Sequence, residues 1–238
     1  DTLATLIASG DAPDIIGPVG VKGSNAFSGS WLDLEPVIES MNYDLTQFPE
    51  AAVDFYRGEG EGLIGMPFAV FPSVMYYNRD LFDEACLPYP PASYGEDYGV
   101  GTEFEGAWDW DKVREIGMAL TVDGNVIDAT MDGFDADAIE QFGYITQWTD
   151  GRGWPTHFGA GNFVDGDGNA TFPEHWKEAY QFMFDGIWAD GFIPSQAHQD
   201  SDLLGVPYAF SSGYVGFAAS HLWFTSCLGE MSAAWDMS

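Results

Sequence analysis

Basic residues are scarce in this sequence: 7 Lys and Arg stand against 38 Asp and Glu in 238 residues, a formal charge of −31. Most carboxylates therefore lack a basic partner, and the surface repels phosphate polymers, which excludes a nucleic-acid partner. Such an imbalance is tolerated where salt screens it or low pH neutralises part of it, so a saline or acidic exterior is expected. Cysteine is nearly absent. Cys86 and Cys227 lie far apart and outside any CxxC pattern, so neither a zinc site nor a redox motif is supported, and a single disulfide stays open. No run of 18 apolar residues occurs, because the most apolar region, Met66 to Tyr77, is interrupted by Pro67, Pro72 and Ser73, which leaves no membrane span. His157, His175, His198 and His221 show no HExxH or HxH spacing, so no metal ligand and no cofactor is assigned. A GxSxG elbow, a phosphate-cradling GxxxxGK[ST] and a Rossmann GxGxxG are also missing. Carboxylates are numerous enough for a glycosidase pair, but no pattern singles one out.

What is present is a core. Apolar residues make up 46% of the chain and aromatics 16%, ample for one large domain or two small ones. Leu3, Leu6 and Ile7 have the spacing of a helix end, stopped by Gly10 and Pro13. Ile15 and Ile16 predict a short buried strand, followed by a Gly/Ser-rich loop from Gly17 to Gly29. Leu63 to Tyr77 predicts one or two strands, and Asn78 to Ala85 a helix with Asp80 near its start. Pro88 to Gly106 is an exposed connection, after which Asp109 or Asp111 caps a helix through Val113, Ile116, Met118 and Leu120. Ala136 to Gln147 is read as helical. Asp165-Gly166-Asp167-Gly168-Asn169 superficially matches the start of a calcium loop, but Ala170 and Trp176 occupy its glycine and glutamate positions, so a hairpin turn is expected. Trp176, Ala179, Phe182, Met183, Ile187 and Trp188 recur at helical spacing after Pro173, and Asp190-Gly191 ends that helix. Alternating helices and short strands predict an α/β fold.

Several of these segments resemble, in order, those of family 1 extracellular solute-binding proteins, the maltose-binding-protein-like group. Ala8-Ser9-Gly10-Asp11-Ala12-Pro13-Asp14-Ile15-Ile16 is similar to the family's helix-to-strand junction. Val74-Met75-Tyr76-Tyr77-Asn78-Arg79-Asp80-Leu81-Phe82 is similar to its "YYNKDLF" signature, although Cys86 stands where glycine is usual. Trp108-Asp109-Trp110-Asp111 before a helix ending in Leu120-Thr121 matches another segment. Ala179 to Pro194, and Ala209 to Phe217 followed by Trp223, match the later ones. The resemblance implies a two-lobed, type II periplasmic-binding-protein fold, with an incomplete first lobe over residues 1–70 and a hinge crossing plus most of the second lobe over 71–238. It implies capture of a small solute, a carbohydrate, by lobes that close on it, and delivery to the membrane permease of an ABC importer, with no catalysis. Asp1 already lies in a helix, without a signal segment, so processing or truncation is expected to have removed the start. An extracellular or periplasmic location with tethering through a preceding segment is implied.

Sugars bind through aromatic faces that stack on ring C–H groups and polar groups that fix hydroxyls. Trp223 matches a position the family uses for stacking. Tyr144, Trp148 and Trp154 lie near a loop-rich stretch and are further candidates, packing being the alternative for each. For Trp176 and Trp188 packing is the expected role. In the first lobe the loop after Ile16 should face the ligand, placing Lys22, Ser24 and Asn25 within reach; solvent exposure is the plain alternative for Lys22. Phe71 falls at the hinge crossing, where it would stack or pack. Two other functions stay open, a secreted carbohydrate-active enzyme and a receptor for a polyamine or other cation.

Overall fold

A computed structural model describes residues 2–17, 20–58, 60–147 and 153–238, and the chain divides into two compact units, Asp1–Val70 and Phe71–Ser238. In the first unit, helix α1 spans Thr2–Ser9 and ends where Gly10 adopts φ +78°, as its sequence predicts. The Gly/Ser-rich loop contains a short helix, α2, at Gly20–Ala26. Ile15 is 90% exposed and Ile15–Ile16 form no strand, which corrects the expected buried strand. A strand exists only through a ladder partner, and none of the described segments offers one there. Helices α3 (Glu35–Met41) and α4 (Glu50–Asp54) precede a two-stranded hairpin, β1 (Arg57–Gly58) with β2 (Gly62–Leu63). The Asp33 carboxylate accepts from the Glu35 and Leu63 amides at 3.0 and 3.2 Å, fixing the start of α3 against that hairpin.

The second unit is built on a five-stranded sheet. Strand β3 (Ser73–Asn78) leads into helix α5 (Arg79–Glu84); helix α6 (Trp110–Ala119) leads into β4 (Val122–Asp123) and β5 (Ile139–Thr146). Helices α7 (Glu174–Trp188) and α8 (Gln196–Gln199) precede β6 (Val215–His221) and β7 (Trp235–Met237). The strand order is β4-β5-β6-β3-β7, with β5 and β6 parallel and the remaining pairs antiparallel. Both faces are covered. Tyr77, Phe82, Ile116, Tyr144, Phe192 and Phe217 fill one core; Tyr76, Phe142, Ile145, Phe210, Val215 and Phe224 fill the other. A strand buried on both sides reads as a continuous apolar run without alternation, which is why 136–147 looks helical in sequence and is in fact β5. Leu63 to Tyr77 is likewise mostly not strand: pairing occurs only at Gly62–Leu63 and from Ser73, with Pro67 and Pro72 between.

Local chemistry explains the joints. Asn78 is fully buried; its Oδ1 accepts from the Asp80 and Leu81 amides, capping α5, while its Nδ2 donates to the Gly213 carbonyl at 3.0 Å. Asp109 caps α6 through the Lys112 amide at 2.9 Å. Cys86, just past α5, has φ +55°, the left-handed conformation that glycine adopts at least cost. Both cysteines are free, so the disulfide left open by the sequence is not formed. The 165–169 turn is a hairpin turn: the Asp165 carboxylate accepts from the Asp167 and Asn169 amides, and Val164 bridges Ala170. Trp176 is buried as expected, but Trp188 is 69% exposed; it sits at the last position of α7 on the solvent side, so helical spacing overstated its packing.

Asp123 organises the connection between β4 and β5. Its buried carboxylate accepts from the Asn125, Ile127 and Asp135 amides at 2.8, 3.0 and 2.9 Å. The Ile127 bond, against the cost of burial and with help from Asp135 and Asn125, holds this carboxyl below its ordinary range. A depressed carboxyl contributes stability that is complete above the ordinary value near about 3.9 and is lost as pH falls through the lowered one. Asp123→Asn is therefore expected to lower Tm at neutral pH, with the gap to wild type closing below about pH 3.9. A calorimetric pH series checks this; a gap that persists undiminished into strong acid would contradict it.

Candidate functional site

The C-terminal ends of β5 and β6 lie side by side, in register through Thr146 and Ala219. Ligands of open α/β sheets bind outside the carboxyl ends of parallel strands, because the chain leaves the sheet there and its loops are free to diverge. Beyond β6 the chain enters a 3-10 turn, Leu222–Cys227, which carries Trp223. The start of β3 reaches the same edge: Ser73 is opposite His221, and the Leu222 amide donates to the Pro72 carbonyl at 2.9 Å. A second 3-10 turn, Trp154–Phe158, supplies His157, whose ring lies nearly parallel to that of His221, 20° between planes and 6.4 Å between centroids. The His221 ring is 6.4 Å from that of Trp223, and Ser73 Oγ lies 3.2 Å from His221 Nδ1.

On the other face of the same edge, Gln147 continues β5 and its amide donates to the Ala219 carbonyl at 2.9 Å. Its Oε1 is buried without a hydrogen-bond partner, as is Ser220 Oγ. Gln147 opens on a cavity of about 390 Å³ that is also lined by Gln196, Gln199 and Asp200. Buried polar atoms without protein partners call for a hydroxyl or a water to complete them.

The sequence-predicted residues fare unequally. Trp223 is half-buried against the second core, its ring edge-on to Phe224 at 6.1 Å, and it stands at this edge. Tyr144 is only 1% exposed and packs among Trp110, Phe182 and Phe217, so it is a core residue and offers no face to a ligand. Burial raises its phenol far above the usual range. Trp154 is also buried, edge-on to Phe158 and Tyr180; it supports the turn that presents His157. Trp148 lies outside the described residues. Asn25 is exposed on α2, Lys22 falls on the same helix with its side chain outside the described part, and Phe71, the first residue of the second unit, is 48% exposed. His157, His221, Ser73 and Gln147 were not singled out in sequence. Residues 73, 157 and 221 have no common spacing; strand pairing joins Ser73 to His221, and the 154–158 turn brings His157 to them.

A mixed sheet covered on both faces, with its polar and aromatic residues gathered at the carboxyl ends of the parallel pair, defines a ligand-binding α/β protein of the periplasmic-binding-protein class. The family model for bacterial extracellular solute-binding proteins matches residues 1–223, and the chain belongs to that family. A curated relative, the arabinooligosaccharide-binding protein of Halalkalibacterium halodurans, is 25% identical over 231 residues, covering 93% of this chain and 43% of that protein. Among solved structures, the ABC substrate-binding protein of Listeria monocytogenes in complex with cycloalternan superposes with a TM-score of 0.72 at 22% identity, over all of this chain and 54% of that one. The cyclic alpha-maltosyl-1,6-maltose binding protein of Arthrobacter globiformis gives 0.63 at 20% identity, over all of this chain and 53% of that one. The chain thus spans about half the length of the relatives it matches.

Proposed function

We propose that the protein is the solute-capturing receptor of an ABC importer and that its ligand is a sugar or oligosaccharide, bound without turnover and passed to a membrane permease. The observation that carries this reading is the edge formed by Trp223, His221, His157 and Ser73, in a chain of the solute-binding family. An indole face suits the apolar side of a pyranose or furanose, and imidazole, hydroxyl and amide groups suit its hydroxyls. Two of the relatives named above are called after sugars and the third is in complex with cycloalternan, which supports the ligand class. Lys22, Asn25, Phe71 and Trp148 are further proposed contacts. Tyr144 is not, because packing covers its ring; Trp154 is nearly buried but lines a cavity with Phe172 and Tyr180 and stays a proposed contact. Such a receptor acts outside the cytoplasmic membrane, tethered to its surface.

A thermal-shift screen tests this, with arabinotriose, maltotriose and mannobiose as probes and spermidine and calcium as controls, at low and high salt. A sugar at about 100 times its Kd adds roughly 2.7 kcal/mol, a rise of about 5 to 10 °C for a chain of this size. A rise with a sugar that survives salt is the expected result. A rise with spermidine alone, abolished by salt, would replace the sugar with a cation. Release of new reducing ends during incubation would make the protein an enzyme.

A further inference from the structure

Each imidazole at the β5–β6 edge has nitrogen valence to spare. His221 uses Nδ1 on Ser73, leaving Nε2 without a protein partner among the described residues; His157 has neither ring nitrogen bonded to one. Both residues are half-buried, not sealed. Trp110, edge-on to His157 at 6.5 Å, holds that ring from behind, and the Trp110 indole N–H donates to the His157 carbonyl at 3.3 Å, fixing the turn itself. Ser73 fixes the other ring.

Resting on the sugar-receptor reading, we propose that His157 and His221 are ligand contacts that bind adjacent hydroxyl groups through their neutral imidazoles, so that capture requires both rings uncharged. A neutral imidazole offers one donor and one acceptor, the complement of a hydroxyl; an imidazolium offers donors only. Charging both rings also sets two cations against each other across the stack. Among the described residues, the groups that face them are Ser73 from β3, Trp110 from α6, Trp223 from the 222–227 turn and each other, and of these only the two imidazoles titrate. No ion pair joins either ring to a carboxylate among the described residues, although the chain carries 38 of them. Burial, and for His157 the neighbouring His221, lowers both below the ordinary histidine range. The rings are therefore neutral above about pH 6.5 and charge only as pH falls below it. The pair also disfavours cationic ligands once protonated, the opposite of what an acidic chain would otherwise do.

Isothermal titration with the sugar that gives the largest thermal shift, run near pH 7.5 and near pH 5, tests the proposal in wild type and two double variants. Wild type is expected to bind more weakly as pH is lowered towards 5, in step with protonation of the two rings followed by NMR. His157→Phe with His221→Phe keeps two flat rings but removes the nitrogens, and should bind at least tenfold more weakly near pH 7.5. His157→Gln with His221→Gln keeps donors and acceptors that do not titrate, and should bind more tightly than the Phe pair with little change between the two pH values. Affinity that stays constant across the pH range in which NMR shows the two rings protonating, or wild-type affinity in the Phe pair, overturns the histidine contacts while leaving the receptor reading intact. Failure of every sugar to bind wild type at either pH overturns the receptor reading and, with it, this one.

Discussion

Trp223→Ala is expected to weaken sugar capture by about 30-fold or more, the loss of roughly 2 kcal/mol that defines a dominant contact. The indole stands directly after β6, tilted 37° to the His221 ring, at the edge where Ser73 and His157 also meet. Its other side packs on the second core with Phe224, which holds the face in one orientation and so limits the entropy lost on stacking. Trp223→Phe should recover part of the affinity, because a smaller ring still presents a π face. Calorimetric titration of the two variants against wild type decides the matter. Unchanged affinity in Trp223→Ala would remove this residue from the site, and a fall in affinity matched by wholesale loss of folded structure would assign it to the core.

Gly143→Ala should be the most damaging single methyl in the second unit. Gly143 lies in β5, and a Cβ there would fall 2.0 Å from the Gly117 carbonyl oxygen and 2.5 Å from Gly117 Cα in α6. Backbone meets backbone at that point, so no side chain can swing aside. Helix α6 sits close because Thr121 Oγ1 donates to the Gly117 carbonyl at 2.8 Å and accepts from the Gly143 amide at 3.0 Å, stitching helix to strand. Adding the methyl forces the two elements apart and strains Ile116, Leu120 and Phe192 in the core beneath. Overpacking of this kind costs about 3 kcal/mol or more, a fall in Tm of roughly 6 to 12 °C for a chain of this length. A Tm within a degree or two of wild type would show that α6 can move away freely. The same substitution at Gly166, where a Cβ meets nothing within 4 Å, provides the control and should be nearly silent.

Much of the architecture was legible in the order of residues. Asn78 and Asp109 announce helix starts because short polar side chains cap free amides, and both do so. Asp190-Gly191 announces the end of α7, where Gly191 takes φ +76°. Periodicity failed where burial was two-sided: β5 carries Phe142, Tyr144 and Ile145 into two cores at once, which erases the alternation that marks a strand. Gly143 was the available signal, since a mid-helix glycine is costly whereas one in a strand marks close approach. For the proposed site, Trp223 was singled out only by its match to a family position, and the structure places it directly after β6. Tyr144 was misjudged because proximity in sequence to a loop says nothing about the face a strand residue presents.

The sequence by itself determined the charge of this protein and the kind of fold it must form. Thirty-eight acids against seven bases leave a surface that repels phosphate polymers, and the capped, punctuated segments specify alternating helices and strands. Tertiary structure alone decided which polar groups share a site. Residues 73, 157 and 221 are joined only because β3 runs antiparallel to β6, which sets Ser73 opposite His221, and because the 154–158 turn folds back over that end. Local propensity acts over a few residues and cannot encode such a meeting; strand register and core packing, which act across the whole chain, do.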